Sequence, residues 1–570
     1  MLQWSGSVKR EFTWLAGLKL ALVVVVMLGL ALAAVGPVRA AGPATALTAT
    51  PTLKTGPRTD GQTVVWLEGN VLKAENLSNQ TVSNVVTLKT RQAIKQFDLD
   101  GNYVIWEQYD SACTGNCDGP VYGQNLATGQ TFRVSPEPYG RNIAISGNYA
   151  VYVTDVQVPN NIGEGIRVRN LATMADPVTV CILYAIEGTL SFDGDRLLWG
   201  QTLASYQTGT GKERWQLVTM HLNDGSPTVL DQADYDDYGT LNLGGWDLKG
   251  DLAVYSVNQQ LRAVNLATGE RRLITDPAQR PAQNPTTNGR YIFWEDSRNF
   301  NAAAPQSYPQ AIQGYDFPNG SYLGNVVPTG NNTSPRSRGD MLVWNSGDGT
   351  ARQLVSAQIA GLLPNTPQPA SSTPGYTYFP QTGHNLGGTF KNYWTKNGGL
   401  NVFGYPTTDE FQELNRDTGQ IFTVQYFERQ RFEYHPENKG TPYEVLLGRL
   451  GADEAQRRGF TANLPFKPAK NSGQAHCRYF PETQHNVCNS FIDYWQTHGL
   501  DLSDPGNSYR ESLALFGLPL SEPFTDPVSG VTVQYFERAI FEHHPENQGT
   551  SFEVLLSLLG NQALKNRAWQ

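Results

Sequence analysis

The sequence predicts a mainly β protein: a seven-bladed β-propeller, with six blades as the alternative, followed by two small α+β modules that repeat each other. Three observations carry this. A short pattern (Gly, two residues, two apolar residues, then Trp or Tyr) recurs seven times between Gly61 and Trp344. A second and longer repeat occupies the C-terminal part. The composition suits both, because 56 Gly and 34 Pro among 570 residues supply turns, and 11% aromatic residues supply cores. The same composition excludes a disordered chain, and only 17% charged residues exclude a coiled coil. A net charge of −9 leaves no basic footprint for nucleic acid.

The first element is a leader. Lys9 and Arg10 precede an uncharged run from Leu20 to Gly36, and Val38 and Ala40 stand at the −3 and −1 positions of a cut after Ala40. This order predicts a secretory signal over residues 1–40 and a protein that is secreted or held at the cell surface. An uncleaved anchor is the alternative, and it is the only membrane contact expected. Export leads to an oxidising compartment, so cysteines are read as disulfides. Cys113 and Cys117 lie in a turn-rich loop, where a bridge closes a small ring. Cys181, in the apolar run VTVCIL, reads as a buried free thiol.

The propeller is predicted over residues 44–360. The seven copies start at Gly61, Gly101, Gly147, Gly194, Gly250, Gly289 and Gly339 and end at Trp66, Trp106, Tyr152, Trp199, Tyr255, Trp294 and Trp344. Their spacing is that of a four-stranded blade. Each Gly opens a strand after a tight turn, and each aromatic ring packs between blades. A second turn follows most copies, as in NLATGQ at Asn125 and NLATGE at Asn265. The last copy lacks an outer strand, which TALTATPTLKT near the start is expected to supply. These residues, FWEDSRN at Phe293–Asn299 followed by YDFPNG above all, resemble the TolB-like propellers of secreted bacterial proteins. The resemblance implies a platform for binding protein or glycan.

Little in this region suggests chemistry. It holds one histidine, His221, in a hairpin turn. Glu107, Glu295 and Asp296 follow core strands and read as solvated loop acids. The acid-rich loop Asp231–Gly239, with Asp236 and Asp237 beside Tyr235, is a candidate for Ca²⁺ without EF-hand spacing.

Residues 361–375, rich in Pro, Ser and Thr, read as an extended semi-rigid linker. Beyond them lie repeat module 1 (376–452), a second linker (453–476) and repeat module 2 (477–560). TVQYFERQRFEYHPEN at Thr423 answers TVQYFERAIFEHHPEN at Thr532, and FKNYWTKNGGL at Phe390 answers FIDYWQTHGL at Phe491. A helix is expected over Gly387–Asn397, a hairpin over Phe422–Pro436 and a short helix over EVLLGRLG. Cys477 and Cys488 both appear in copy two and are both absent from copy one, where Tyr376 and Gly387 stand. Joint appearance predicts a bridge. The modules resemble envelope-associated bacterial repeats of the LGFP type, on Phe403-Gly404-Tyr405-Pro406 and Phe516-Gly517-Leu518-Pro519. That resemblance implies association with cell-wall material and no catalytic residue. Trp394, Tyr405 and Trp495 are the candidate ligand-binding residues, as rings able to stack on sugars. Glu433, His435 and Glu437 are the candidates for Zn²⁺.

The sequence therefore predicts a secreted, non-enzymatic binding protein with no required cofactor, whose partner is a cell-envelope polysaccharide or a surface protein. A secreted hydrolase of polysaccharide or peptide and a purely structural surface component are the alternatives.

Overall fold

All seven repeat glycines sit in the left-handed region, with φ from 53° at Gly339 to 97° at Gly61. Each closes a tight turn between the first and second strands of a four-stranded antiparallel sheet. The computed structural model describes residues 44–48 and 54–569, less 116, 159–160, 177, 183–184, 205–211, 224, 236–240, 276–281, 297–310, 328–330, 348–351 and 416–417. The leader expected at 1–40 lies outside the described residues. Seven sheets follow in order, over residues 54–87, 92–133, 141–182, 185–234, 243–273, 282–327 and 332–358. The seventh takes its outer strand from the front of the chain, where Thr45–Ala46 pairs antiparallel with Gln353–Gln358. The first strands of the sheets touch in chain order, and that of the seventh meets that of the first. This is a propeller-type arrangement.

The seven aromatic residues at the pattern ends are all at most 2% exposed. Each packs between its own sheet and a neighbour, as Tyr152 does with Ile105 and Trp66 with Val343. Burying one such ring contributes about 4–6 kcal/mol of apolar transfer before entropy is subtracted. The second turns also form as expected. The Asn125 side chain accepts from the Ala127 and Thr128 amides, and Asn265 from Ala267 and Thr268.

One feature repeats in every sheet without being expected. Each first strand carries a register shift, between Thr55 and Arg58, Ile94 and Gln96, Arg141 and Ala144, Glu187 and Ser191, Leu243 and Gly245, Gln283 and Thr286, and Thr333 and Arg336. Six of these shifts hold a left-handed residue: Gly56, Asn142, Gly188, Gly245, Asn284 and Ser334. Pro follows it in three, at Pro57, Pro285 and Pro335. A bulge bends the strand and re-aims the residues after it. Those residues line the centre of the ring.

The C-terminal part holds helices α1 (Gly388–Lys396), α2 (Gly399–Phe403), α3 (Leu450–Arg457), α4 (Ser490–Thr497), α5 (Tyr509–Phe516) and α6 (Leu559–Asn566). The expected helix at 387–397 is α1, and the hairpin forms from Ile421–Tyr426 and Arg431–Tyr434. EVLLGRLG differs from the expectation. Val445–Leu447 is a strand paired with the hairpin, and α3 begins only at Leu450. The apolar run finds a free sheet edge, and pairing overrides its helical composition.

The two modules are interlocked. Helix α3 belongs to the first repeat yet packs on the hairpin turn of the second, where the Ala452 amide donates to the Glu537 carbonyl at 3.1 Å. Helix α6 does the reverse, with the Gly560 amide donating to Glu428 at 3.0 Å. The same exchange governs the ion pairs. Arg458, just past α3, binds Asp526 beside the Tyr535 hydroxyl. Arg567, just past α6, binds Glu413 beside the Tyr426 hydroxyl. The contact admits no side chain at its glycines. A Cβ on Gly560 would lie 1.7 Å from the Phe427 carbonyl oxygen, and one on Gly451 would lie 2.1 Å from that of Phe536. Gly560→Ala should therefore lose about 1–3 kcal/mol in chemical denaturation, whereas the same change at the open turn glycine Gly473 leaves no such packing clash.

The pair also merges with the propeller. Ser321 and Tyr322, on the outer strand of the sixth sheet, pair with Glu413 and Gln412, giving one sheet of eight strands. The Trp569 indole donates to Asp316 at 2.8 Å. Residues 361–375 are consequently no extended linker. Leu362 and Leu363 are buried, the Gln368 amide bonds to Gly383, and Asn385 bonds to both Pro369 and Ser371. The segment 453–476 repeats this pattern. Its Ala469 amide bonds to Gln484, and Asn486 bonds to Lys470 and Ser472. The first expected linker is the opening stretch of module 1; the second begins within α3 of module 1 and ends, from Ala469 on, as the opening stretch of module 2.

Candidate functional site

The residues after the bulges form two rings of side chains around a central cavity of about 80 Å³. Next to the turn glycines stand Asp60, Asp100, Asp193, Lys249 and Arg338; two residues earlier stand Arg58, Asp98, Ser191, Asp247 and Arg336. The outer ring latches neighbouring sheets together. Asp100 accepts from the Gly147 amide at 2.6 Å and Asp193 from the Gly250 amide at 2.7 Å, while Asp193 also binds Lys249 at 2.6 Å.

The inner ring is charged and enclosed. Arg338 binds Asp247 with both guanidinium nitrogens at 2.8 Å, and Asp247 also accepts from the Thr286 hydroxyl and the Thr287 amide. One carboxylate thus joins the fifth, sixth and seventh sheets. Burial alone would raise its pKa; the Arg338 and Arg336 charges win and hold it at about 2. Asp98 shows the opposite balance. Burial raises its pKa, because its arginine, Arg58, stays 3.9 Å away. Both inner-ring carboxylates thus face arginines.

The predicted ring stacks in the modules are unequal. In module 1, Trp394 and Tyr405 are half-buried and meet Phe379 edge-on at 5.7 and 5.9 Å, with the Trp394 indole donating to the Gly404 carbonyl. In module 2, Trp495 is 1% exposed. Tyr509 packs on it at 5.2 Å, and Arg478 lies 4.3 Å over Tyr509. Tyr509 comes from the insertion that copy one lacks. Trp495 is therefore a core residue, and the open aromatic patch exists in module 1 alone.

Two of the metal candidates bind each other, His435 hydrogen-bonding Glu437 at 2.7 Å; His435 also faces Glu433 at 3.5 Å, and Glu433 is bound by Arg431 and Asn415. No group of three His, Cys, Asp or Glu able to hold a metal exists among the described residues. Asp236 and Asp237 lie outside the described residues, and Tyr235 bonds the Thr202 hydroxyl. His384 and His485 face Asp409 and Glu522, matched partners in the two modules. Glu107, Glu295 and Asp296 are buried, not solvated. Glu295 accepts from Asn284 and from the Ser334 amide, pinning two bulges.

Both disulfides form, Cys113–Cys117 and Cys477–Cys488. The second bridges directly paired positions of two short strands. In copy one the Tyr376 ring covers Gly387, where a Cβ would lie 2.6 Å from it. A ring over glycine thus replaces the bridge. The Cys181 side chain lies outside the described residues.

No family model matches the chain, and no curated protein does. Solved structures with a similar course include the β-propeller domain of the Trilobed protease from Pyrococcus furiosus, at 10% identity and a TM-score of 0.39, covering 54% of this chain and 97% of that one. An acylaminoacyl peptidase from Pyrococcus horikoshii matches at 11% and 0.38, over 66% of this chain and 58% of that one. A prolyl endopeptidase matches at 12% and 0.38, over 69% and 55%. The propeller description rests on the strand pairing above. No helix among the described residues is long and apolar enough to cross a membrane.

Proposed function

We propose that this chain is an exported, non-enzymatic binding protein. Its seven sheets are the blades of a TolB-like propeller that serves as an interaction platform, and its interlocked LGFP-like pair associates with cell-envelope polysaccharide. The observation that carries this reading is the Phe379–Trp394–Tyr405 patch. Three aromatic rings meet on a fixed frame, all of them only half-buried, and the matching patch in module 2 is roofed by its own insertion. A partly exposed aromatic ring with a polar tip suits the C–H face of a sugar ring. Module 2 then acts as the partner that holds module 1 in shape, and the docked sixth sheet fixes the patch relative to the propeller.

The test is retention on purified cell-wall polysaccharide. The wild-type chain should be retained, and Trp394→Leu with Tyr405→Ala should weaken retention about tenfold. The change Tyr509→Ala, which opens the module 2 site, should not weaken it. Equal retention of wild type and the double variant would remove the aromatic patch from the reading.

A further inference from the structure

The central cavity holds a charge imbalance at one level. Three guanidiniums, Arg58, Arg336 and Arg338, line it against two carboxylates, Asp98 and Asp247. Arg338 and Asp247 satisfy each other with two bonds. That leaves Arg58 and Arg336 facing Asp98. Arg58 reaches Asp98 only at 3.9 Å and donates to the Pro57 carbonyl. Arg336 donates to the Pro335 carbonyl and makes no ion pair within 4 Å among the described residues. Glu295 feels the Arg336 charge but spends its oxygen on Asn284 and Ser334. The carboxylates of Asp60, Asp100 and Asp193 are held at the turns by backbone amides or Lys249.

We propose that this cavity is a binding site for a small oxyanion, a phosphate or a carboxylate, gripped between Arg58 and Arg336. The two arginines occupy equivalent positions two residues after a bulge on adjacent first strands, each following a left-handed residue and a proline: Gly56-Pro57-Arg58 and Ser334-Pro335-Arg336. The proline locks the backbone, so the forks are presented with little freedom left to lose. Guanidinium forks match the geometry of oxyanions and are weakly hydrated, which suits an enclosed site. Burial and the nearby Arg336 hold the Arg58 guanidinium down to about 9, while burial and the nearby Arg338 lower Arg336. An anion between them would relieve both. A cavity of about 80 Å³ has room for roughly half a dozen waters. It admits a phosphate or carboxylate group. This site is separate from the aromatic patch of module 1 and takes a different chemistry.

The test is calorimetric titration of the full exported chain with inorganic phosphate, succinate and glucose 6-phosphate at constant ionic strength. At least one should bind at a single site. Arg336→Gln and Arg58→Gln should each weaken that binding about tenfold or more, while Lys565→Gln on an exposed helix face leaves it unchanged. Stronger binding of phosphate or succinate than of glucose 6-phosphate marks a free ion as the ligand; the reverse order marks an anionic end group on a larger molecule. Arg336→Lys keeps the charge without the fork and should bind with intermediate strength, which guards against a folding defect in the neutral variants. Absence of binding by all three probes, or equal binding by wild type and both glutamine variants, overturns the proposal.

Discussion

Arg567→Met should destabilise the protein by about 3 kcal/mol and loosen the join between the propeller and the C-terminal pair. Its partner Glu413 is 3% exposed and sits where the sixth sheet runs into module 1. Arg567 covers this carboxylate with two nitrogens, at 2.5 and 3.2 Å. Removing one member of a buried pair leaves the other charge unsolvated, which costs about 3–5 kcal/mol. The lower end applies here, because Arg431 still reaches Glu413 at 3.3 Å and the Tyr426 hydroxyl donates to it at 2.9 Å. The Arg567 backbone adds a second link, since its carbonyl accepts from Arg290 and Asn319 of the sixth sheet. Guanidinium unfolding measures the loss, and limited proteolysis should place the first new cuts around α6. Glu413→Gln combined with Arg567→Met should recover part of the loss, because no charge is then stranded. A loss below 1 kcal/mol for the single variant would mean that Arg431 alone satisfies Glu413.

That ion pair was hidden in the sequence for a definite reason. The repeat aligns Glu413 with Asp526, and carried seven residues past Gly451 and Gly560, beyond the expected module ends, it aligns Arg458 with Arg567. It did not show that each arginine crosses to the other copy, because internal similarity is the same for modules side by side and for modules with exchanged helices. The glycines at 451 and 560 carried the only local hint, and a glycine in a helix start has several explanations. The linker at 361–375 misled through composition. Its prolines and serines suggest an extended chain, yet Gln368 and Asn385 hold it as Ala469 and Asn486 hold its counterpart. The propeller was more legible, since a left-handed Gly and a buried Trp or Tyr impose residue types at fixed spacing. The cavity arginines escaped notice, although a signal existed. A Gly, Asn or Ser five residues before each repeat glycine marks the bulge in most blades, and the residues between point inward. That signal is conformational and not hydrophobic, so a search for apolar periodicity passes over it.

Asp247→Asn should remove about 3–5 kcal/mol at neutral pH and should flatten the acid limb of the stability curve. Asp247 is 6% exposed and collects the Arg338 fork, the Thr286 hydroxyl and the Thr287 amide. The variant strands Arg338 in the cavity, which sets the size of the loss. The pH dependence follows from linkage. The pKa of Asp247 lies at about 2 in the folded chain, below the ordinary aspartate value of 3.8. A depressed carboxylate pKa means that the folded state holds its proton less tightly than the unfolded chain does. Its stabilisation is complete above about pH 4 and drains away as pH falls toward 2. The gap between the two values is equivalent to about 2 kcal/mol. The difference in unfolding free energy between wild type and Asp247→Asn should therefore be largest at pH 5–7 and narrower by about 2 kcal/mol near pH 2. Other acids titrate over the same range in both proteins, so the difference between the curves carries the signal. Parallel curves from pH 7 to pH 2 would place the Asp247 pKa near its ordinary value and dissolve the three-sheet clasp as a source of acid stability.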